Sequence, residues 1–336
     1  GTAVVEAMRP EGETREIIGF DSGLFEFAAS EAFIPKSHQV DVQHYGDVRD
    51  LTETIFTGVD AVVYLAAISN DPMGREFSTP THQINNNSAV TAARLAKAAG
   101  VGSFVLASSC SVYGAGGDAA KTEADPVDPL TDYAQSKLDA EASLAPLADG
   151  NFNVTCLRFA TACGPSPRLR LDLVLNDFVA SARTHGVIKI LSDGTPLRPL
   201  IDLRDMGQAI EWAQKRSNDN GGAFLIVNTG SDAWNFSVKE LAECVADHFG
   251  GVAVDINRDA APDNRSYRVD FTLFRELSGP YYPTRDIKDS IEAIDASLTR
   301  CEIPLDDFRN GQLMRLNLLR KMISAGVVNN EIRWRH

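Results

Sequence analysis

The sequence predicts an α/β fold, a doubly wound parallel sheet followed by a smaller C-terminal α/β unit, and three observations carry that expectation. Short apolar, β-branched runs alternate with segments of helical period through the first half of the chain, the rhythm of βαβ units. The 336 residues suffice for about two units of roughly 150 residues each. Beyond Gly164 the rhythm changes to stretches punctuated by proline and glycine, Gly164-Pro165-Ser166-Pro167 and Asp193-Gly194-Thr195-Pro196. The expected division is 1–163 for the first unit and 164–336 mainly for the second, with about 199–230 partly returning to the first.

In chain order, strands are expected at 16–20, 38–42, 61–67, 104–109 and 154–161, where apolar residues run together between turn signals. A helix is expected at 2–8. Residues 87–99 and 133–147 read as crossover helices, with Val90, Ala93, Leu95 and Ala96 on one face of the first and Leu138, Ala142 and Leu144 on one face of the second. Further helices are expected near 171–183, 206–216 and 237–249, and the Leu-rich tail 308–323 reads as a packing helix.

The composition excludes several function classes. The formal net charge of −14 leaves no surface-wide positive field for a polyanion, so nucleic acid is not an expected partner. The longest apolar runs stop well short of the roughly 20 residues that span a bilayer, so no membrane partner is expected and the protein reads as soluble and cytoplasmic. The five cysteines (Cys110, Cys156, Cys163, Cys244, Cys301) are scattered and form no CxxC pair, so they read as buried thiols, with no metal site.

Strands of a doubly wound sheet end at a common edge where ligands bind, which directs attention to polar residues just after strands. Asp21 closes the run 16–20, where a carboxylate can accept both hydroxyls of an adenosine ribose and repel a 2′-phosphate, favouring NAD over NADP. Gly1 lies about 20 residues earlier, the spacing of the last glycine of a diphosphate-binding loop, and no strand or further glycine stands before it. The first strand and most of such a loop are therefore expected to be missing from the sequence. Tyr133 and Lys137 lie one helical turn apart, and an ammonium near a phenol favours the phenolate that takes a proton from an alcohol. One βα unit earlier, the strand at 104–109 runs into Ser108-Ser109-Cys110-Ser111, which places hydroxyls at the same edge.

These pieces together resemble an extended short-chain dehydrogenase/reductase of the NAD-dependent sugar-nucleotide epimerase/dehydratase family. The resemblance extends over nearly the whole chain: Gly1 and the helix after it, Gly19-Phe20-Asp21, Gly46-Asp47-Val48-Arg49-Asp50, Leu65-Ala66-Ala67, Ile84-Asn85, Ser109, Tyr133 and Lys137 in the first half, then Leu157-Arg158-Phe159-Ala160-Thr161 with Gly164-Pro165, and Arg198-Pro199-Leu200-Ile201-Asp202. It implies a Rossmann-like sheet, NAD held by Gly1, Asp21, Asp47, Val48, Leu65, Ala66, Ala67, Asn85, Tyr133 and Lys137, and a catalytic set of Ser109, Tyr133 and Lys137. It further implies a nucleoside-diphosphate sugar met by Ser109, Thr161, Asn176, Arg198 and Arg265, and a homodimer. Where relatives that dehydrate 4,6-linked sugars carry Asp-Glu after the catalytic hydroxyl, this chain has Cys110-Ser111, which disfavours 4,6-dehydration. The expected activity is epimerisation of a nucleoside-diphosphate sugar by transient oxidation, at C4. A sugar-nucleotide ketoreductase or decarboxylase, and a non-catalytic NAD-binding sensor or scaffold, are the alternatives.

Overall fold

The computed structural model describes residues 1–9, 15–31, 39–115, 117–260 and 266–335. Six parallel strands build the first half. β1 (Ile18–Asp21) and β2 (Val42–Tyr45) pair with each other, and β3 (Ala61–Tyr64), β4 (Ser103–Ser109), β5 (Asn153–Phe159) and β6 (Phe224–Thr229) form a second sheet in the order β6-β5-β4-β3. The central strands are covered on both faces, which is why they read as unbroken apolar runs: Phe104, Val105 and Leu106 are buried, as are Val154, Cys156 and Leu157. β2 is exposed along its length, so its apolar signal is weak; the expected strand at 38–42 begins outside the described residues and the observed one is shifted to Val42–Tyr45. β3 ends at Tyr64, and Leu65-Ala66-Ala67 leave the sheet as a loop.

Helices form near every expected place, and others that the sequence pattern did not announce form at Asp71–Glu76, Ser78–His82, Thr272–Ser278 and Ile287–Thr299. Those that frame the site and the cores are α1 (Thr2–Ala7), α2 (Asp71–Glu76), α3 (Ser88–Ala98), α4 (Asp132–Leu144), α5 (Val174–His185), α6 (Leu203–Lys215), α7 (Val238–His248), α8 (Ile287–Thr299) and α9 (Arg315–Ser324). The alanine face of α3 (Ala89, Ala92, Ala93, Ala96) is fully buried in one core with Phe104, Leu106 and Leu144. On the opposite face of the sheet, α6 lies against α1 so closely that a Cβ on Gly207 would stand 2.5 Å from the Ala3 carbonyl oxygen. That contact needs glycine.

From Cys163 onward a separate apolar core forms around α5, α7 and α8, with Leu175, Val179, Leu241, Val245, Ile291 and Ile294 at its centre. Small sheets edge it: Thr161–Cys163 pairs in parallel with Leu197–Asp202, and Val187–Ile190 with Ala253–Ile256. α6 and β6 pack in the first half, in a core with Leu157, Val227 and Trp212. The tail forms a 3₁₀ turn at Phe308–Asn310 and then α9, whose Leu318, Leu319 and Met322 cross back to bury Leu24, Ile68, Met73 and Phe77.

Beneath the carboxyl end of β4 lies a polar network that the sequence pattern conceals. Glu141 of α4 and Arg158 of β5 form a two-pronged ion pair (Nε to Oε1 3.0 Å, Nη2 to Oε2 2.7 Å), both side chains essentially inaccessible. The Ser108 hydroxyl donates to Glu141 Oε1 at 2.5 Å, and Arg158 Nη1 donates to the Tyr113 hydroxyl, which donates to Asn228 Oδ1 at 2.7 Å. All five cysteines are free thiols, three buried and two half-buried, and no group of His, Cys, Asp or Glu among the described residues is arranged to hold a metal ion. No helix among them is long and apolar enough to cross a membrane.

Candidate active site

One cavity of about 2010 Å³ opens at the carboxyl ends of the strands and continues between β1 and β3, each of which is paired on one side only among the described residues. Ligand pockets commonly measure about 300–1,000 Å³, and this volume takes in the gap between β1 and β3 as well as the space at the strand ends. Its wall includes Gly1, Asp21, Asp47, Val48, Leu65, Ala66, Ala67, Ser109, Tyr133, Lys137, Thr161, Asn176 and Arg198. Residues far apart in the sequence thus meet at the edge where the topology places a binding crevice. Arg265 lies outside the described residues.

Ser109 ends β4 and caps the 3₁₀ turn that follows, its Oγ accepting from the Ser111 amide at 3.2 Å. Thr131 caps α4 in the same way, accepting from the Ala134 amide at 3.1 Å, so Tyr133 falls in the first turn of that helix. There its phenol is near enough to the Ser109 side chain to interact with it. Lys137, one turn on and 2 % exposed, donates from Nζ to the Ala107 carbonyl at 2.7 Å, with Nζ 5.9 Å from the Tyr133 ring centroid. The three side chains expected to act together are together.

The electrostatics correct one expectation. Burial pushes the Tyr133 phenol above its ordinary pKa; the Ser109 side chain lowers it in part, and the negative charge of Asp71 adds to the rise. Burial also lowers the Lys137 pKa to about 8, with the Glu141 carboxylate opposing the shift.

Asp21 sits exposed at the end of β1, with Oδ1 accepting from the Gly23 amide at 2.7 Å. Asp47 is held by the Arg49 backbone and guanidinium, which outweigh burial and keep its carboxyl below the usual range. These carboxylates, the small residues of the loop 65–67 and the position of Tyr133 suit a dinucleotide bound with its adenosine near Asp21 and its nicotinamide near Tyr133. Asn85 is a correction: it does not line the cavity. It is fully buried, its Oδ1 accepting from the Ile68 amide at 2.8 Å and its Nδ2 donating to the Ile68 carbonyl and to Ser136 Oγ, so it fastens the loop after β3 to α4. Asn176 is spent similarly, bonding Gly164 through both amide atoms and the Arg170 carbonyl.

Sequence reasoning missed charged residues of the cavity, Asp71, Arg170 and Arg315 among them. Asp71 follows the β3 loop, accepts from Thr131 Oγ1 at 2.8 Å and acts electrostatically on Tyr133. Its place immediately after a strand loop, ahead of Pro72 in a helical first turn, is a readable signal. Arg170 forms a fork with Asp172 (3.0 and 2.8 Å) and donates from Nη1 to Ser69 Oγ at 3.0 Å. Arg315, at the start of α9, stacks its guanidinium 4.3 Å from the Phe25 ring centroid. Nothing local in the sequence marks a tail arginine as reaching this cavity.

Comparison with known proteins agrees with this geometry. Residues 1–229 match the model of the NAD dependent epimerase/dehydratase family. The chain is 27% identical over 252 residues to a dTDP-glucose 4,6-dehydratase of Streptomyces griseus, covering 74% of each. It is 28% identical over 222 residues to a UDP-glucuronate 4-epimerase of Thermodesulfobacterium geofontis, covering 66% of this chain and 65% of that one. Among solved structures, MoeE5 in complex with UDP-glucuronic acid and NAD shares the fold with a TM-score of 0.74 at 24% identity, over 89% of this chain and 96% of the other. A mutant UDP-glucuronic acid 4-epimerase from Bacillus cereus, complexed with NAD and a fluorinated UDP-sugar, also reaches 0.74, at 19% identity and the same coverage.

Proposed function

Because the chain belongs to the NAD dependent epimerase/dehydratase family, we propose that it is an epimerase of a nucleoside-diphosphate sugar acting at C4. The observation that carries the proposal is the convergence of Ser109, Tyr133 and Lys137 on the wall of the cavity at the carboxyl ends of the strands. NAD held with its ribose at Asp21 and its nicotinamide beside Tyr133 would supply the hydride acceptor and donor for the reaction at C4. Tyr133 takes the hydroxyl proton of the sugar at its phenolic oxygen and gives it back after the ring has turned. Ser109 holds the sugar oxygen against Tyr133, and Lys137, fixed on the Ala107 carbonyl, keeps a cation beside the phenol. Asp21 receives the adenosine ribose, and Arg198 serves the sugar-nucleotide diphosphate as a hydrogen-bonding fork.

Dehydration is the second reading, favoured by the dehydratase relative and by Asp71, a carboxylate beside Tyr133. Epimerisation is preferred because the residues after Ser109 offer no acid–base pair. Cys110 is fully buried, off the cavity wall, and burial holds its thiol protonated. Incubation of UDP- and dTDP-sugars with the protein, without added NADH, tests the proposal. The expected product is a 4-epimer of unchanged mass by NMR and mass spectrometry. Loss of water marks a dehydratase, and turnover only with stoichiometric NADH marks a reductase.

A further inference from the structure

Arg315 is a cation without an anionic partner in a crowded positive corner. Among the described residues its guanidinium makes no ion pair and no hydrogen bond; its one contact of note is the face of Phe25. It lies at the first position of α9, a ten-residue helix whose N-cap, Met314, offers no side-chain acceptor and whose first turn holds no acidic residue. The positive end of a helix is the least favourable place for a cation. Arg168 and Arg170 are close enough to add to that potential, while Asp172 and Asp21 offset it in part, and the Arg315 pKa falls to about 10, mainly through burial. Arg170 is occupied by Asp172, and Arg168 by Glu26 at 3.5 Å. Arg315 thus faces the cavity with the potential of its own helix end behind it.

Its surroundings indicate which anion it meets. Arg315 stacks on Phe25, just beyond Asp21 at the end of β1, and α9 packs on Leu24 and on Ile68 and Met73 of the segment that follows β3. It therefore stands at the carboxyl ends of β1 and β3, on the side of the cavity that Asp21 also lines. A dinucleotide with its adenosine ribose at Asp21 and its nicotinamide at Tyr133 carries its two phosphates between those points. Arg198 lies on the strand Leu197–Asp202, in the second half of the chain.

We propose that Arg315, with the uncapped start of α9, is a binding residue for the diphosphate of the dinucleotide cofactor, so that the tail of the chain clamps a ligand held mainly by the first half. The proposal rests on the reading of the cavity as a dinucleotide site. A planar guanidinium with free donors suits a diphosphate oxygen pair, and the amides of the first turn point the same way.

Titration calorimetry of NAD, ADP-ribose, adenosine and UDP against the wild type, Arg315→Met and Arg315→Lys tests it. Arg315→Met is expected to weaken NAD and ADP-ribose about 10- to 100-fold, as for a lost charge-assisted hydrogen bond, with adenosine and UDP changed less than about threefold. Arg315→Lys, which keeps the charge and most of the packing on Phe25, is expected to fall between the two. Equal losses for adenosine and ADP-ribose, unchanged NAD binding, or a loss confined to UDP would each overturn the assignment. A wild-type protein that binds none of the adenine ligands would instead overturn the cofactor reading on which it rests.

Discussion

Replacing Glu141 by glutamine removes a charge from the most deeply buried ion pair near the site. Glu141 is 1 % exposed and Arg158 4 %, and the carboxylate accepts two prongs from Arg158 and the hydroxyl of Ser108. Glutamine can keep one acceptor, but it leaves the guanidinium as an uncompensated charge between α4 and β5. Breaking such a pair costs about 3–5 kcal/mol, a large share of the 5–15 kcal/mol typical of folded proteins. Replacing both partners by apolar residues of similar volume, Glu141→Leu with Arg158→Met, removes the orphaned charge and is expected to recover much of that loss. The assay is urea unfolding followed by tryptophan fluorescence and circular dichroism, read as a double-mutant cycle on the transition in which both probes coincide. Because Ser108 precedes Ser109 on β4, the single variant is also expected to lower kcat, while the double variant separates strand position from charge. A loss below about 1 kcal/mol for Glu141→Gln, or additive single losses, would refute the argument that the pair acts as a closed unit.

Three further outcomes follow from the site. Lys137 has its pKa lowered from the ordinary lysine range to about 8, so kcat/KM of the free enzyme is expected to fall above about pH 8 as the ammonium is lost. Lys137→Arg is expected to shift that fall upward, and a wild-type midpoint near 10 would contradict it. The same shift makes the folded state release the proton first, so its contribution to stability, unfavourable below pH 8, diminishes as pH rises from about 8 to 10.5, which chemical unfolding across that range measures. Asn85→Ala leaves the Ile68 amide and carbonyl without partners in a buried position, which is expected to cost about 1–3 kcal/mol and to weaken NAD binding severalfold by loosening the loop 65–70. Gly164→Ala places a Cβ 3.0 Å from an Asp202 carboxylate oxygen at a φ of +115°, so a loss of about 1–3 kcal/mol is expected in thermal unfolding.

Much of the fold was legible because the central strands are buried on both faces and therefore read as continuous apolar runs, while α3 and α4 carry helical periodicity. β2 was misplaced because an exposed edge strand has no such run. The grouping of the candidate residues was legible because Tyr133 and Lys137 are neighbours on one helix and Ser109 ends a strand; spacing alone brings them to one edge. Burial was not legible, and it reverses the expected direction of the Tyr133 pKa shift. Asn85 looked like a ligand contact because a buried asparagine that ties a loop and one that binds a cofactor have the same sequence appearance. Arg170 and Arg315 reach the cavity only through tertiary packing, and no local pattern encodes that.

The most direct test of transient oxidation at C4 starts from a sugar nucleotide carrying deuterium at that carbon, incubated in ordinary water with the wild type and with Tyr133→Phe. The wild type should yield the C4 epimer with the isotope still on C4 and no free NADH, and Tyr133→Phe should lose at least about 100-fold in kcat. Washout of the isotope into solvent, or a phenylalanine variant that turns over at the wild-type rate, would contradict the account.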